Sequence, residues 1–468
     1  MQTHAPLPVT LFCERLHRSK SVRGLLFHPL TDSPMPVATA PPRPSADQMS
    51  QSYKPLLYMC EYPPSTQAGA PVIAKQLLAQ YDQARLQVLC CEEQYENRND
   101  VVKDSYLSCE HTTIPTVTSQ DLRPRRVFVP IKHTLNCLRT PRILREARRI
   151  VEEKNIQAIF TIPWRCEFAL AAYYLHRETG IPLYVFETDD WLSMNPHLLQ
   201  GHLIKKHRQD FLESASQLWV TSPNMQRRYR ERFGVDSEFL FHFVDVDAYQ
   251  AATKAVGSRA SAEQIRVVYT GSINRMFYDT MKTFCDLLND GLTVDDRPVV
   301  MDVYGGGCPS ELQGPAVTYR GLVDLREIPG ILANADLSFV GVTFSEDPDL
   351  RELVKTSLYT KTIDYLASGR PVLVVSPPDT GEVNYFGDVT HVVTDPSPTA
   401  MRDALDTIIR SPETTAAKTQ AGLDLVRSRH SLDSLHKLFL KHFVGAISSE
   451  EAAPRLMQSG SDPVGQMH

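Results

Sequence analysis

Apolar and polar positions along the chain fall into a repeating alternation. Short apolar runs, suited to buried strands, give way to longer stretches whose apolar residues recur at helical spacing. The first run, residues 56–60 of "KPLLYMCEYPPSTQAGAPVIAKQLLAQY", passes through a Pro/Gly loop into a helix. "ARLQVLCC" is the next strand, and a loop-rich region separates it from "RTPRILREARRIVEEKNIQAIFTIP". There Thr140 is placed to cap a helix with Pro141 in its first turn. Ile143, Leu144, Ala147, Ile150 and Val151 form that helix's apolar stripe. A helix over 168–178 stops at Gly180, "IPLYVFETDDW" supplies a strand, and "SQLWVTSPNMQRRYRERFG" repeats strand, turn, helix and glycine stop. Strands alternating with helices imply βαβ units on a parallel sheet.

Residues 247–264, "DAYQAATKAVGSRASAEQ", are small, polar and unpatterned, as a linker would be. The alternation then restarts at "IRVVYTGSI". It continues through "MKTFCDLL", "PVVMDVYGGG", "AVTYRGLV", "REIPGILANA", "DLSFVGV" and "PVLVVSP" to "VTHVVT" and helices from residue 398. The pattern predicts two α/β domains, 53–246 and 265–428, with a helix over 429–446 crossing back to the first. Open sheets of this kind take ligands beyond the carboxyl ends of their strands, so the gap between the domains is the expected site. Residues 1–52 are rich in Pro, Ser and Ala and cannot bury a core. With Met49 just before the first patterned run, they read as a disordered extension or a mis-assigned start. Residues 447–468 read as a frayed tail.

Composition narrows the class only a little. The chain has 468 residues, 42% hydrophobic and 22% charged, with a net charge of −6, which gives no reason to expect nucleic-acid binding. Its nine cysteines are scattered, without a C-x-x-C pair or a histidine cluster at zinc spacing, so no zinc site is expected from them, and no residue pattern points to a cofactor. A reducing cytoplasm fits that usage. No run approaches the ~18–20 apolar residues of a membrane span. Residues 123–149 are strongly basic, with Arg123, Arg125, Arg126, Lys132, Arg139, Arg142, Arg145, Arg148 and Arg149. This run reads either as a solvated helix face or as a surface for anionic lipid at the inner face of the membrane.

The stretch with the sharpest chemical question is "TSLYTKTIDYLASGRPVLV", residues 356–374. Lys361 falls near the start of a helix, where a cation opposes the macrodipole by ~0.3–1 kcal/mol. A bound phosphate reverses that sign, because amide dipoles and ammonium then converge on one anion. Ser357 or Thr360 can cap the helix. Asp364 shares a face with Lys361 and suits hydroxyl groups such as those of a ribose. Gly369 and Pro371 end the helix. From the residues alone, an exposed Lys/Asp pair on a solvated face is the competing account.

The same stretch resembles the donor-binding helix of GT-B glycosyltransferases, particularly family four, whose run "(E/D)-x-(M/L)-A-x-G-x-P-V" is matched by Asp364, Leu366, Ala367, Gly369, Pro371 and Val372. "VVYTGSINR", "DVYGGG", "VTYRGLV" and "ILANADLSFV" follow that family's order, and "YMCEYPPSTQAGAPVIAKQLL" is similar to its N-terminal glycine loop. The resemblance spans about residues 53 to 445. It implies a GT-B fold: two Rossmann-like, doubly wound parallel-sheet domains facing each other across a cleft, with a C-terminal crossover helix. It further implies transfer of a sugar, with retention and without metal, from a nucleotide-diphosphate sugar to a glycan, lipid-linked or small-molecule acceptor. Donor binding would then involve Gly69, Gly271, Ser272, Arg275, Gly305, Gly306, Leu322, Thr356, Ser357, Leu358, Tyr359, Thr360, Lys361 and Asp364.

Two departures stand out. The family's second glutamate is Thr356 here, and the basic residue usual after the first glycine is Ser272, which leaves Arg275 and Lys361 to stabilise the leaving diphosphate. A "(S/T)-K-x-x-(E/D)-Y" form of the helix does occur in the family, and Thr360, Lys361, Asp364 and Tyr365 match it. In "ETDDW", Asp190 and then Asp189 are the candidates for contact with the acceptor or for proton transfer, unless one of them caps the next helix. The family's N-domain histidine has no clear counterpart, and the "TIPWRCE" turn offers Trp164 instead. A catalytically weak scaffold and a GT-B-fold sugar-nucleotide epimerase remain the other classes.

Overall fold

The period-two alternation of the strands sets the arrangement of the first half. In the computed structural model, which describes residues 53–65, 70–91, 106–116, 125–189, 198–256 and 263–444, strand β1 (Leu56–Met59) is covered on both faces. Around it lie β2 (Leu86–Cys91), β3 (Glu110–Ile114), β4 (Ala158–Thr161), β5 (Leu183–Glu187), β6 (Ala215–Val220) and β7 (Glu238–Phe239). They form one parallel sheet of order β3-β2-β1-β4-β5-β6-β7, which puts the reversal of direction beside β1. Helices α1 (Ala70–Leu78), α2 (Arg125–Cys137), α3 (Thr140–Lys154), α4 (Cys166–Thr179), α5 (Leu198–Glu213) and α6 (Pro223–Phe233) connect the strands. Leu57 and Met59 point into a core shared with α3, α4, α5 and α6. Leu56 and Tyr58 point the other way, toward α1 and a group of residues from the far end of the chain.

Helix α7 (Val246–Val256) leads to the second sheet. This corrects the reading of 247–264 as an unpatterned linker: Val246 and Tyr249 are buried against the second domain, and one apolar contact per turn suffices to seat a short helix. The second sheet comprises β8 (Ile265–Thr270), β9 (Thr293–Val294), β10 (Arg297–Tyr304), β11 (Val317–Gly321), β12 (Leu337–Gly341), β13 (Val372–Val375) and β14 (His391–Val393). Its order is β11-β10-β8-β12-β13-β14, with β9 antiparallel on β10. One face carries α8 (Tyr278–Asn289) and, further along the chain, α13 (Pro398–Arg410). The other carries α7, α9 (Ile328–Ala333), α11 (Thr360–Ala367) and α14 (Pro412–Arg429). Two shorter helices, α10 (Pro348–Thr356) and α12 (Gly381–Phe386), lie at the edge nearest the first domain.

The chain then returns. Helix α15 (Leu432–Leu438) and the turn after it bury Leu435, Phe439, Leu440 and Phe443 in the first domain's core, against Phe160 and Trp219. The return is locked by Lys54 N–H donating to the Phe443 carbonyl at 2.8 Å. Two elements arise where a loop-rich region was expected: β3 adds an edge strand, and α2 precedes α3. Thr140 does not cap α3. Its hydroxyl donates back to the Cys137 carbonyl at 2.8 Å, and Arg139 occupies the cap position. The segments read as an extension (1–52) and a tail (447–468) lie outside the described residues.

Candidate functional site

Glycine chemistry at the carboxyl edge of the second sheet shapes the site. Gly271, directly after β8, has φ +107°, a conformation that a side chain resists. Gly305, after β10, lies so close that a Cβ there would stand 2.3 Å from the Gly271 carbonyl oxygen. The two turns therefore pack backbone on backbone. Gly305 is pinned further by its N–H donating to the Gly321 carbonyl and by the Tyr319 hydroxyl donating to its own carbonyl.

Lys361, in the first turn of α11, reaches this corner. A Cβ on Gly271 would meet its Nζ at 3.5 Å. The ammonium donates to the Tyr269 hydroxyl at 2.6 Å and lies 4.0 and 4.1 Å from the ring centroids of Tyr269 and Phe277. Part of the side chain reaches solvent, but the nitrogen sits between two aromatic faces. Desolvation there lowers its pKa to about 7, against an opposing pull from the nearby Glu382 carboxylate.

The start of α11 is capped differently from the expectation for Ser357 or Thr360. Tyr359 occupies the N-cap position without a side-chain cap of its own, and the Ser357 hydroxyl donates to the Leu353 carbonyl. The Tyr359 N–H instead donates to the Glu382 carboxylate at 3.3 Å, and the Thr362 hydroxyl donates to the same group at 2.5 Å. Glu382 is fully buried, and burial lifts its carboxyl to about 7 despite those donors and Lys361. Thr356, Ser357, Leu358 and Tyr359 are buried as well. Gly369 ends the helix with φ +67°, as the sequence reading has it.

Asp364 lies one turn into α11. Its Oδ1 accepts from the Tyr249 hydroxyl at 2.6 Å and faces His242 Nε2 at 3.4 Å, so residues of the interdomain connection hold the carboxylate. Contact between the domains is direct. Ser222 at the start of α6 donates to the Thr356 carbonyl at 2.5 Å, and Asn224 donates to the Lys355 carbonyl at 2.7 Å. The end of α10, which leads into α11, thus touches the first domain. Asp189, past the end of β5, lies close enough to Tyr359 for its charge to help keep that phenol well above its usual pKa, behind burial and Glu382.

The structure brings Gly271, Gly305 and Lys361 together, and residues 356–360 lead into the helix that carries Lys361. Ser272 and Arg275 are exposed on the β8 turn, and Arg275 makes no ion pair among the described residues. Leu322, at 73% exposure, stands out past β11, and Gly306 has open space around its Cα. Asp190 and Gly69 lie outside the described residues. Sequence reasoning missed Tyr269, Phe277, Tyr249, His242 and Glu382. Only Glu382 left any trace, as the acidic first-turn residue that follows the capping Thr380. Among the described residues, no group of three or more His, Cys, Asp or Glu is arranged to hold a metal, and no helix is long and apolar enough to cross a membrane.

No protein-family model matches the chain, and no curated protein matches it. Solved structures do. Sucrose-phosphate synthase from Thermosynechococcus elongatus aligns with a TM-score of 0.61 at 12% identity, over 83% of this chain and 97% of that one. Anabaena HepE in complex with UDP and glucose gives 0.57 at 12%, over 83% and 99%. An α,α-trehalose-phosphate synthase (UDP-forming) from Burkholderia vietnamiensis gives 0.57 at 13%, over 84% and 98%. At such identities the likeness is one of fold. The fold is GT-B: two parallel-sheet α/β domains facing each other, with the crossover helix at the end of the chain.

Proposed function

We propose that the chain is a hexosyl-transferring glycosyltransferase that uses a nucleotide-diphosphate sugar, acts with retention and needs no metal. The observation that carries this reading is the convergence of the Gly271 and Gly305 turns with Lys361 at the amino end of α11, just after the end of α10 that touches the first domain. A diphosphate seated there would meet helix amides and one ammonium, the electrostatic arrangement that stabilises a departing diphosphate. Asp364, already oriented by Tyr249, would receive the ribose, and Leu322 would lie against the base. HepE was solved with UDP and with UDP-glucose, which makes a uridine nucleotide the first donor to try. The first domain would bind the acceptor, with Asp190 and then Asp189 as the candidates to contact it or assist proton transfer.

A thermal-shift screen against nucleoside diphosphates and their sugars tests the reading. Lys361→Ala and Asp364→Ala should each abolish the shift given by the best ligand. Full shifts in both variants would place the donor elsewhere, and tight binding without turnover on any acceptor would move the protein to the scaffold class.

A peripheral role at an anionic membrane is supported by one specific feature. Ile131, Leu135 and Leu138 are exposed on one side of α2 and its end. Arg142 and Arg145 follow, exposed and without acidic partners among the described residues. Arg148 and Arg149 are instead engaged with Glu178, Glu146 and Glu153.

A further inference from the structure

Glu382 is a fully buried carboxyl group on an element that the donor reading does not use. Such a group is costly unless its neighbours satisfy it, so its partners indicate what it is for. In a capping box, a glutamate at the third helical position accepts the N–H of the N-cap residue. In α11 that third position is Thr362, whose side chain is too short for the task. Glu382 takes over from outside the helix, accepting the Tyr359 N–H and the Thr362 hydroxyl together. The element that carries it is fastened close by. A Cβ on Gly381 would stand 2.6 Å from the Ser357 carbonyl oxygen, so α12 begins in backbone contact with the turn between α10 and α11. Thr380 caps α12 and its hydroxyl lies 2.8 Å from that of Ser376, which anchors the cap to the end of β13.

We propose that Glu382 is the positioning residue of the donor pocket. Its carboxyl group holds the Ser357–Leu358–Tyr359 turn, and through Thr362 the first turn of α11 that carries Lys361, in the geometry that an incoming diphosphate meets. The inference deepens the donor reading above and rests on it. Two consequences separate it from a merely structural role. Glutamine keeps an acceptor oxygen and the side-chain length, so it should preserve the turn, whereas alanine should release it. The effect should also be local, confined to the turn and to anion binding.

The experiment compares wild type, Glu382→Gln, Glu382→Ala and Thr362→Val by backbone hydrogen exchange over residues 356–363 without ligand, and by titration with UDP. Exchange in the glutamine variant should match wild type, with UDP affinity within about threefold. In the alanine variant, exchange should rise and UDP affinity should fall, each by about tenfold or more, because two buried donors lose their acceptor. Thr362→Val, which removes only one donor, should fall between, and it carries the test together with glutamine if the alanine variant does not fold. Unchanged exchange in both the alanine and valine variants overturns the inference. So does faster exchange with undiminished UDP affinity. A wild-type chain that binds no nucleotide overturns the donor reading instead, and the exchange arm then decides the role of Glu382 in the turn by itself.

Discussion

At the scale of single residues, Lys361 and Glu382 form a pair whose charge depends on pH near neutrality. Burial pushes the lysine down to about 7 and the glutamic acid up to about 7, so together they pass from a net positive to a net negative pair as pH rises through that value. The other ionisable groups facing them are Tyr269, Tyr359 and Tyr365, all raised by burial, with Asp189 beyond Tyr359. UDP affinity should therefore fall as pH rises from about 6 to about 8, with proton uptake on binding. Calorimetry in buffers of different ionisation enthalpy would measure that uptake, and equal heats in all buffers would count against it.

The same shifts act on stability. The raised carboxyl stabilises the fold below the ordinary glutamate pKa, and that contribution is lost as pH climbs toward 7. The depressed lysine contributes only at high pH, and its contribution is lost as pH falls toward 7. The stabilising effect of Glu382→Gln relative to wild type should accordingly grow between about pH 5 and pH 7 and then level off, read as the difference in Tm. Lys361 was legible in the sequence because a cation at a helix start breaks a local rule. Glu382 was not, because its meaning comes from a neighbour on another element, and only the fold brings the two together.

At the scale of elements, strands and long helices were legible wherever burial imposed one period over several residues, as in β4, β8 and α3. The reading failed where contacts with distant segments decide the structure. Strand β3 is half exposed and its pattern is weak; it forms because β2 offers an edge. Helix α7 is held by Tyr249 and by Gln250 and Thr253, which donate to the carbonyls of Ala367 and Ser368 at the end of α11. No window of sequence could display those partners. The return segment makes a separate prediction. Phe439 is fully buried between Phe160 and Trp219, so Phe439→Ala should cost about 3–5 kcal/mol of stability by chemical denaturation, as large-to-small changes in cores do. A loss below 1 kcal/mol would mean that α15 contributes little to the first domain.

At the scale of the whole molecule, the order of motifs across two domains made the architecture legible, although no single motif did. The site was less so, because it depends on how the domains meet. Ser222 and Asn224 reach across to the carbonyls just before α11, and neither has a signature beyond that of an ordinary helix start. The outer surface supports one more expectation. If Ile131, Leu135 and Leu138 with Arg142 and Arg145 form a lipid-facing patch, the protein should sediment with vesicles containing anionic phospholipid and not with neutral ones. The double substitution Arg142→Glu and Arg145→Glu should abolish that sedimentation without changing Tm. Equal sedimentation with both vesicle types would remove the electrostatic basis of the patch.

The return of α15 also bears on how the molecule is made. Tyr53 bridges Val444, and the second face of β1 is covered by residues near the far end of the chain. During synthesis on the ribosome, the first lobe therefore waits with part of that apolar face uncovered until α15 leaves the exit tunnel. Chains stalled shortly before that point should be the ones that chaperones hold longest.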